Sequence, residues 1–424
     1  PASTALYAPY EARVEAIENR QNNLDYGGVV ILRHKAPNGE EFYSLYGHLD
    51  PHSSSHLQVG QHIKAGDQFA CLGEACDNGG WDPHVHVQLA LSIDGMGYDW
   101  PGAADPDDLE LWQRLCPSPA SLLNLCQAQT TYSAPSKLHA QQMHHDHFSH
   151  NLKLSYADPV MFLRGWRHYL FDEWGRPYLD AYNNVPHVGH AHPRIAQVAA
   201  HQLVRINSNS RYLHPSRSSF AQQILSRMPE PLSVCFFVNS GTEANELALR
   251  LARAHTGSKH MITPRHGYHG NTTGAIDISA YKFASPRAHA VGLEQADWVH
   301  LVDVADDYRG QFRREDADSG ELYAQQVAQR IASLSDNGDR LAGFIAETFP
   351  SVGGQVIPPK NYLRKVYQYV RDAGGICIAD EVQTGLGRLG DYYFAFEQQE
   401  VVPDIVVLGK PIGNGHPIGV VVTS

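Results

Sequence analysis

Cysteine is scarce in this sequence, with 6 in 424 residues, at positions 71, 76, 116, 126, 235 and 377. No two of them form a CxxC pair, and two lie inside strand-like apolar runs. We therefore interpret them as reduced thiols, several of them in the core, and not as a disulfide framework.

Long apolar runs and basic runs are also absent. No uninterrupted apolar stretch reaches the roughly 20 residues that span a bilayer, and no charged-then-apolar leader is visible. A net charge of -12 without a Lys/Arg-rich run argues against nucleic acid or an anionic membrane as a partner. We expect a cytoplasmic protein with small-molecule chemistry.

The chain has material for two or three domains, and hydrophobic residues at 42% describe an ordinary globular protein. Because the first residue is Pro1 and the opening "PASTALYAPYEARV" starts as if within a domain, we expect a longer parent chain.

Two regions of different character follow one another. Up to about Asp99, short runs such as "GGVVILRH", "EFYSLYGHL" and "HVHVQLALS" are separated by turn residues, which predicts a mostly antiparallel β domain. From about Asn151, strand-like runs alternate with amphipathic helices of 12 to 18 residues, which predicts an α/β three-layer sandwich with a mainly parallel sheet. The predicted boundaries are a β domain over 1–126, a linker over 127–150 and an α/β domain over 151–424.

Between the two regions, "PASLLNLCQAQ" predicts a short helix, and the stretch after it has little apolar periodicity. Histidines cluster there at positions 144, 145, 147 and 150. They are either part of a solvated linker, which we favour, or an adventitious metal site.

In the α/β region, four strand-like runs each lead to a residue whose side chain can react or bind a ligand. "HMIT" leads to Tyr268, "AGFIAE" ends at Glu347, "GICIAD" ends at Asp380 and "DIVVLGK" ends at Lys410. Because ligands bind beyond the carboxyl ends of parallel strands, we expect these side chains to converge on one site. "SGTEAN" begins a helix after another strand, and a helix N-terminus favours a phosphate.

Pyridoxal phosphate needs this set of groups. Its aldehyde condenses with a lysine, here Lys410, and its ring nitrogen is held protonated by an aspartate, here Asp380. Tyr268 would stack on the ring, Val382 would pack on the opposite face, and Gln383 would lie near the ring hydroxyl. Taken singly, each of these residues is more often a cap, a packing residue or a surface charge, so the ordered set carries the interpretation.

The quoted motifs resemble the class III aminotransferases, which are fold type I pyridoxal phosphate enzymes. The stretches "YLFDEWGRPYLDAYNNVPHVGHAHP", "VNSGTEANELALRLAR", "HGYHG", "IADEVQTGLGRLG" and "VVLGKPIGNGHP" carry the resemblance in order and spacing. The resemblance implies that Lys410 binds the cofactor aldehyde and that Ser240, Gly241 and Thr242 form the phosphate cup. It also implies a homodimer in the parent protein, and further sequence beyond Ser424 that completes the enzyme.

Within this family, "NSNSRYLH" and "GKPIGNGHP" look most like the ethanolamine-phosphate phospho-lyases and their alanine–glyoxylate aminotransferase relatives. Two reactions are therefore open: transfer of an amino group from a primary amine or amino acid to a 2-oxo acid, or elimination of phosphate from a phosphorylated amine. Arg211 and Glu347 are candidate substrate contacts. For Arg211, a structural ion pair is an equal alternative.

In the β region, period-2 alternation in "DPHVHVQLALS" puts His84 and His86 on one strand face, and "SLYGHLD" adds His48. A solvated strand face is as good an interpretation of this pattern as a metal site.

Together with "VGQHIKAGDQFACLG", these motifs resemble the lysostaphin-type zinc metallopeptidases over roughly residues 1–92. The resemblance implies that His86 is a zinc ligand and that His84 and His48 polarise substrate or water. Its other two protein ligands would fall before Pro1, so we expect zinc only in a full-length parent and no peptidase activity here. The alternative to an enzyme is a noncatalytic fragment with a degenerate metallopeptidase-like binding module.

Overall fold

Two units make up the computed structural model, which describes residues 1–20, 22, 25–102, 108–126, 134–284 and 286–424. They comprise Pro1–Pro135 and Ser136–Ser424. The unit boundary lies inside the predicted linker, of which residues 127–133 are outside the described residues.

The first unit is built from antiparallel strands. The described elements are β1 Ala5–Tyr7, β2 Ala12–Arg20, β3 Gly27–Lys35, β4 Glu41–Leu49, β5 His62–Ile63, β6 Gln68–Cys71, β7 His86–Ala90 and α1 Leu109–Leu115. Five strands form a sheet in the order β5-β2-β3-β4-β7 with antiparallel pairing throughout, and β1 pairs with β6. The predicted antiparallel sheet is confirmed.

The central strand β3 is buried on both faces. Val30 and Leu32 pack into one apolar cluster with Phe69, whereas Ile31 packs into a second cluster with Trp100. Burial on both faces explains why "GGVVIL" is a continuous apolar run and not an alternating one.

The second unit contains a larger mixed sheet and the helices that cover it. Its strands are β8 Phe162–Trp166, β9 Tyr169–Asp172, β10 Pro177–Leu179, β11 Val234–Val238, β12 His260–Pro264, β13 Val299–Val302, β14 Leu341–Glu347, β15 Ile376–Asp380, β16 Ile405–Leu408 and β17 Gly419–Thr423. Its α-helices are α2 Lys137–His147, α3 Pro193–Leu203, α4 Pro215–Leu225, α5 Gly241–Thr256, α6 Thr273–Asp277, α7 Pro286–Ala290, α8 Ser319–Asp336 and α9 Tyr362–Asp372.

Seven strands form the main sheet in the order β11-β17-β16-β15-β14-β12-β13. The pairs from β16 to β13 are parallel, and β17 pairs antiparallel with both of its neighbours. The prediction of an α/β unit is therefore confirmed. Its main sheet is mixed, with more parallel than antiparallel strand pairs. A separate three-stranded antiparallel sheet has the order β10-β9-β8.

Side chains of β14, inside the main sheet, enter two different apolar clusters. Ala342 and Ile345 of β14 pack with residues of α5, whereas Phe344 and Ala346 pack with residues of α8 and α9. Helices thus cover both faces, which leaves the carboxyl ends of the strands as the place where polar side chains can meet.

Helix α5 follows its sequence signals closely. The Ser240 hydroxyl caps its start by accepting the Glu243 N–H, and Gly257 ends it in the left-handed conformation at φ 65°.

Two local predictions need correction. The predicted helix over "PASLLNLCQAQ" is wrong for its described part, because residues 119–124 form turns and Asn124 has a left-handed φ of 54°. The nearby helix is instead α1, Leu109–Leu115. The predicted linker contains a helix, α2, which Ser136 caps and which has no buried residue.

In the part of the chain that the structure describes, no helix combines the length and apolar character needed to cross a membrane.

Candidate active site

Three neighbouring parallel strands bring the predicted reactive residues together. Glu347 ends β14 and Asp380 ends β15, and the two residues are direct register partners. Lys410 follows β16, in which Val407 is the register partner of Asp380. The strand order therefore places two carboxylates and one amine at the same edge of the sheet.

A cavity of about 140 Å³ lies at this edge. Its lining includes eight predicted cofactor-site residues and Glu347. The lining residues are Ser240, Gly241, Thr242, Asn245, Tyr268, His269, Gly270, Glu347, Asp380, Val382, Gln383, Thr384 and Lys410.

The carboxylate of Asp380 is 4% exposed and accepts three hydrogen bonds. Asn245 Nδ2 donates to Oδ2 at 2.8 Å, His269 Nδ1 lies 2.8 Å from the same oxygen, and the Val382 N–H donates to Oδ1 at 3.1 Å. These donors compensate the cost of burying a charge and fix the orientation of the carboxylate.

Asn245 and His269 are residues that the sequence interpretation missed. Asn245 Nδ2 also donates to the His269 carbonyl at 2.9 Å, and the His269 N–H donates to Ser279 Oγ at 2.8 Å. Their positions held a usable signal, since Asn245 lies within "SGTEAN" and His269 is the neighbour of Tyr268.

The start of α5 forms one wall of the cavity. The first turn of a helix has N–H groups without intrahelical partners, and the positive end of the helix dipole lies there. Ser240 Oγ accepts the Glu243 N–H at 3.1 Å, and Glu243 Oε2 accepts the Asn239 N–H at 2.7 Å. These two bonds fix the wall, while the Ser240 hydroxyl keeps its own proton to donate.

Close backbone approach shapes the cavity floor. A Cβ atom at Gly409 would lie 3.0 Å from Val382 Cγ1 and 3.2 Å from the Gly241 Cα. A Cβ atom at Gly241 would lie 3.1 Å from Val382 Cγ1. Glycine at both positions therefore lets Lys410, the start of α5 and the Val382 side chain come together.

Lys410 is half-buried and has a left-handed backbone at φ 41°, which is uncommon for a residue other than glycine. Burial lowers the pKa of its amine, while the charges of Asp380 and Glu347 act in the opposite direction. The lowered pKa increases the fraction of neutral, nucleophilic amine near neutral pH.

Tyr268 and Glu347 are joined by a backbone contact. The Tyr268 N–H donates to Glu347 Oε1 at 3.1 Å, and Glu347 Oε2 accepts the N–H groups of Ser351 and Val352 at 2.8 and 3.2 Å. Burial raises the pKa of Glu347, and the charge of His269 and the N–H groups of Tyr268 and Ser351 partly offset this rise. The Tyr268 ring packs edge-on against Tyr281 at 5.3 Å.

The remaining predicted residues differ in their placement. Gln383 lines the cavity, and its Oε1 accepts a hydrogen bond from Asn184 Nδ2 at 2.5 Å. Arg211 lies in an exposed stretch between α3 and α4, where its N–H donates to Asn209 Oδ1 at 3.1 Å, and it is not among the lining residues. A substrate contact by Arg211 stays a prediction.

In the first unit, the three predicted histidines lie close together. The ring of His48 is 4.3 Å from that of His84 and 6.3 Å from that of His86, and its Nδ1 bonds the Asn78 carbonyl at 2.9 Å. His86 Nε2 lies 3.2 Å from Gln88 Oε1. Across the described ranges, no group of three or more His, Cys, Asp or Glu side chains has an arrangement that could hold a metal ion.

Two family models match this chain. Residues 156–424 match the model of Aminotransferase class-III, and residues 1–96 match that of Peptidase family M23.

Curated relatives match about two thirds of this chain. "Alanine--glyoxylate aminotransferase 2-like" of Drosophila melanogaster is 47% identical over 293 residues, which cover 68% of this chain and 58% of that protein. "Ethanolamine-phosphate phospho-lyase homolog 1" of Caenorhabditis elegans is 38% identical over 308 residues, which cover 70% of this chain and 65% of that protein.

A solved structure agrees in fold. The phospholyase from Arthrobacter in complex with phosphoethanolamine matches with a TM-score of 0.61 and 36% identity, over 67% of this chain and 65% of that one. This chain therefore spans less than two thirds of the length of each of these relatives.

The amine of Lys410 provides a test of the cavity electrostatics. Replacing Glu347 by Gln removes a negative charge that raises the pKa of Lys410, so this pKa should fall further. We expect the pH midpoint for reductive methylation of Lys410, read from its peptide by mass spectrometry, to move down by about 0.5–1 unit. Glu321→Gln, on the exposed side of α8, is the control and should leave the midpoint in place. An unchanged or raised midpoint in Glu347→Gln would contradict the assignment.

His48 provides a pH test of the first unit. It is 5% exposed, and burial lowers its pKa to about 4, with the charges of His84 and His86 acting in the same direction. Because this folded-state pKa lies below the usual 6.5, the unfolded chain binds the proton first as pH falls. The contribution of His48 to the free energy of unfolding is therefore complete above about pH 6.5, and it is lost as the pH falls towards 4.

Between pH 7 and pH 5, His48 should reduce the free energy of unfolding by about 2 kcal/mol. The measurement is urea unfolding at both pH values, read from the β3 and β4 peptides by pulsed hydrogen exchange. His48→Asn tolerates the left-handed φ of 65° at this position and cannot titrate, so its pH dependence should be smaller by that amount. An equal pH dependence in both proteins would rule out His48 as the source.

Proposed function

The chain belongs to the class-III aminotransferase family, and on that premise we propose that it uses pyridoxal 5'-phosphate to transfer an amino group from a primary amine or amino acid to a 2-oxo acid. One observation carries the proposal. Lys410, Asp380 and the N-terminus of α5 line the same cavity, which supplies an amine, a carboxylate and a phosphate site for one ligand.

The cavity residues fit this cofactor in shape and in donor chemistry. A Cβ atom at Gly241 or Gly409 would press on Val382, so these glycines keep room beside a flat ring. Buried Asp380 faces the cavity with its carboxylate already oriented by Asn245 and His269. The α5 N-terminus adds N–H donors suited to phosphate.

When bound, pyridoxal phosphate supplies an aldehyde that captures an amine and a ring that withdraws electrons from the carbon bearing it. Lys410 would hold the aldehyde carbon in the resting enzyme. Its neutral amine can then accept the proton that leaves the substrate carbon and return it at another atom. Asp380 would hold a proton on the ring nitrogen, and Tyr268 would pack on the ring with Val382 opposite.

Phosphate elimination is the second candidate. The similarity to a phospholyase that binds phosphoethanolamine, at 36% identity, favours it. The first requirement is the same removal of a proton by Lys410, after which a β-phosphate leaves and no 2-oxo acid is needed. The two reactions therefore share the described residues and differ in the group that the cavity must bind.

For the first unit, which matches a peptidase family over residues 1–96, we infer a noncatalytic binding role. His48, His84 and His86 do not form a three-ligand arrangement in the described residues, and a catalytic zinc needs three protein ligands. These residues therefore do not fit a catalytic zinc in this chain. A cytoplasmic location remains a prediction from the sequence.

We also infer a homodimer through the second unit. Exposed large apolar side chains are concentrated between positions 178 and 213, and helix α3 has no buried residue. The most exposed are Tyr182, Val204 and Leu213, the last at 94%. Apolar surface of this extent usually marks a protein interface.

Lys410→Ala tests the proposed chemistry. The chain with added pyridoxal phosphate should show the absorbance of a lysine-bound cofactor, and the variant should lose it together with at least about 10²-fold of the activity. Lys360→Ala, at an exposed lysine outside the cavity, is the control and should keep both. If the Lys410→Ala variant retains the absorbance, Lys410 is not the residue that binds the cofactor.

The substrate assay separates the two reactions. With phosphoethanolamine and no 2-oxo acid, release of inorganic phosphate would make elimination the main activity. Amine transfer predicts instead that product forms only when a 2-oxo acid acceptor is added.

Leu213→Asp tests the dimer. A charge placed in the interface should shift the chain from dimer to monomer in sedimentation velocity, because burying an unpaired carboxylate costs several kcal/mol. Tyr308→Asp, at a 69% exposed position elsewhere, should stay dimeric. If the chain without substitutions is itself a monomer, the proposed dimer is wrong.

A further inference from the structure

The cavity lining has more negative than positive groups. Glu347 and Asp380 line it with Lys410 as the one Lys or Arg among the described lining residues. Under the proposed function, Lys410 reacts with the cofactor and the substrate amine, and it is not available as a counter-ion. An amine substrate with a phosphate or carboxylate at its far end therefore needs a cation from beside the cavity.

Arg388 lies beside the cavity, in the segment after β15 that also carries Val382 and Gln383. Its Nη2 donates to the Asn184 carbonyl at 3.4 Å, and the Asn184 side chain donates to Gln383 Oε1 at 2.5 Å. Since Gln383 lines the cavity, one residue separates the guanidinium from the lining.

The guanidinium of Arg388 has spare donors. Its Nη2 also lies 3.3 Å from His187 Nδ1, and among the described residues no carboxylate is within ion-pair distance of it. Guanidinium groups have five N–H donors and match the oxygens of phosphate and carboxylate in geometry.

His187 adds a second donor. Because an arginine can only donate, His187 Nδ1 is the acceptor, and the proton of the neutral ring is on Nε2. Burial and the charge of Arg388 lower the pKa of His187, which favours this neutral form. The pair thus presents a positive charge and an imidazole N–H side by side.

The segment that carries His187 is fixed to the site at both ends. Asn184 bonds Gln383 at one end, and at the other the Val188 N–H donates to Asn414 Oδ1 at 2.9 Å. Asn414 Nδ2 also donates to the Gly189 carbonyl at 3.3 Å, and Asn414 follows Lys410 by four residues. An anion would therefore meet donors whose positions are already set.

We propose that Arg388 and His187 bind the anionic group at the far end of the amine substrate, whether that group is a phosphate or a carboxylate. This assignment rests on the proposed function, which it extends by naming the substrate class as amines that carry a second, anionic group. It assigns to Arg388 a specificity role and not a part in proton transfer.

Calorimetric titration of the whole chain with three probes tests the assignment. Phosphoethanolamine carries a phosphate, β-alanine carries a carboxylate, and ethanolamine carries neither. Arg388→Met should weaken binding of the matching anionic probe by about tenfold or more and leave ethanolamine within about twofold, because the lost contact is charge-assisted. Arg388→Lys should recover part of the loss, since the charge remains.

Arg340→Met is the matched control. Arg340 also donates to a backbone carbonyl, that of Thr256, but it lies next to the start of β14 at the opposite edge of the sheet. The Arg340→Met variant should bind all three probes as tightly as the chain without substitutions. His187→Gln, which keeps a side-chain N–H donor, should bind the anionic probe more tightly than His187→Ala.

The outcomes separate the alternatives. A loss confined to phosphoethanolamine assigns a phosphate site, and a loss confined to β-alanine assigns a carboxylate site. Equal losses for ethanolamine would show that Arg388 only holds the 184–189 segment in place, and unchanged binding of both anionic probes would also overturn the proposal. Failure of the proposed function is seen separately, as absence of the lysine-bound cofactor absorbance, which these titrations do not require.

Discussion

The buried carboxylate of Asp380 joins three elements of the second unit by hydrogen bonds. It ends β15, and it accepts from Asn245 of α5 and lies in hydrogen-bonding contact with His269 in the loop after β12. Because a buried charge without partners is costly, any rotation of α5 or shift of the loop that breaks these bonds is penalised. The same constraint sets the position of the α5 N-terminus and of Tyr268. The cavity geometry therefore depends on the hydrogen bonds that the Asp380 carboxylate accepts.

Much of this site was predictable because its residues stand at the ends of apolar runs. The runs that end at Glu347, Asp380 and Lys410 are β14, β15 and β16, and their shared direction brings the three residues to one edge. The pairing of Glu347 with Asp380 depends on strand order and register, which one run does not encode. Asn245 was missed because a polar residue within a helix resembles a surface position until its partner across the fold is known.

Other features depended on local backbone chemistry that the apolar pattern does not report. The region near residue 120 has helix-like apolar spacing, but the left-handed φ of Asn124 belongs to a turn, and the helix forms earlier at Leu109–Leu115. Conversely, Ser136 caps a helix whose apolar periodicity is too weak to predict it. In the first unit, His48 lies on β4 and His86 on β7 as predicted, but the prediction that His84 shares the strand with His86 is wrong, because β7 begins at His86. The hydrogen-bond partners of His48 and His86 followed only from the structure.

The left-handed backbone of Lys410 has a consequence for how this protein can change. A side chain at φ 41° costs free energy that glycine would not, so the backbone at this position would be better served by glycine. Substitutions that relax the position would therefore make the fold more stable while removing the reactive amine. At Lys410 the demands of stability and of chemistry on the residue type therefore act in opposite directions.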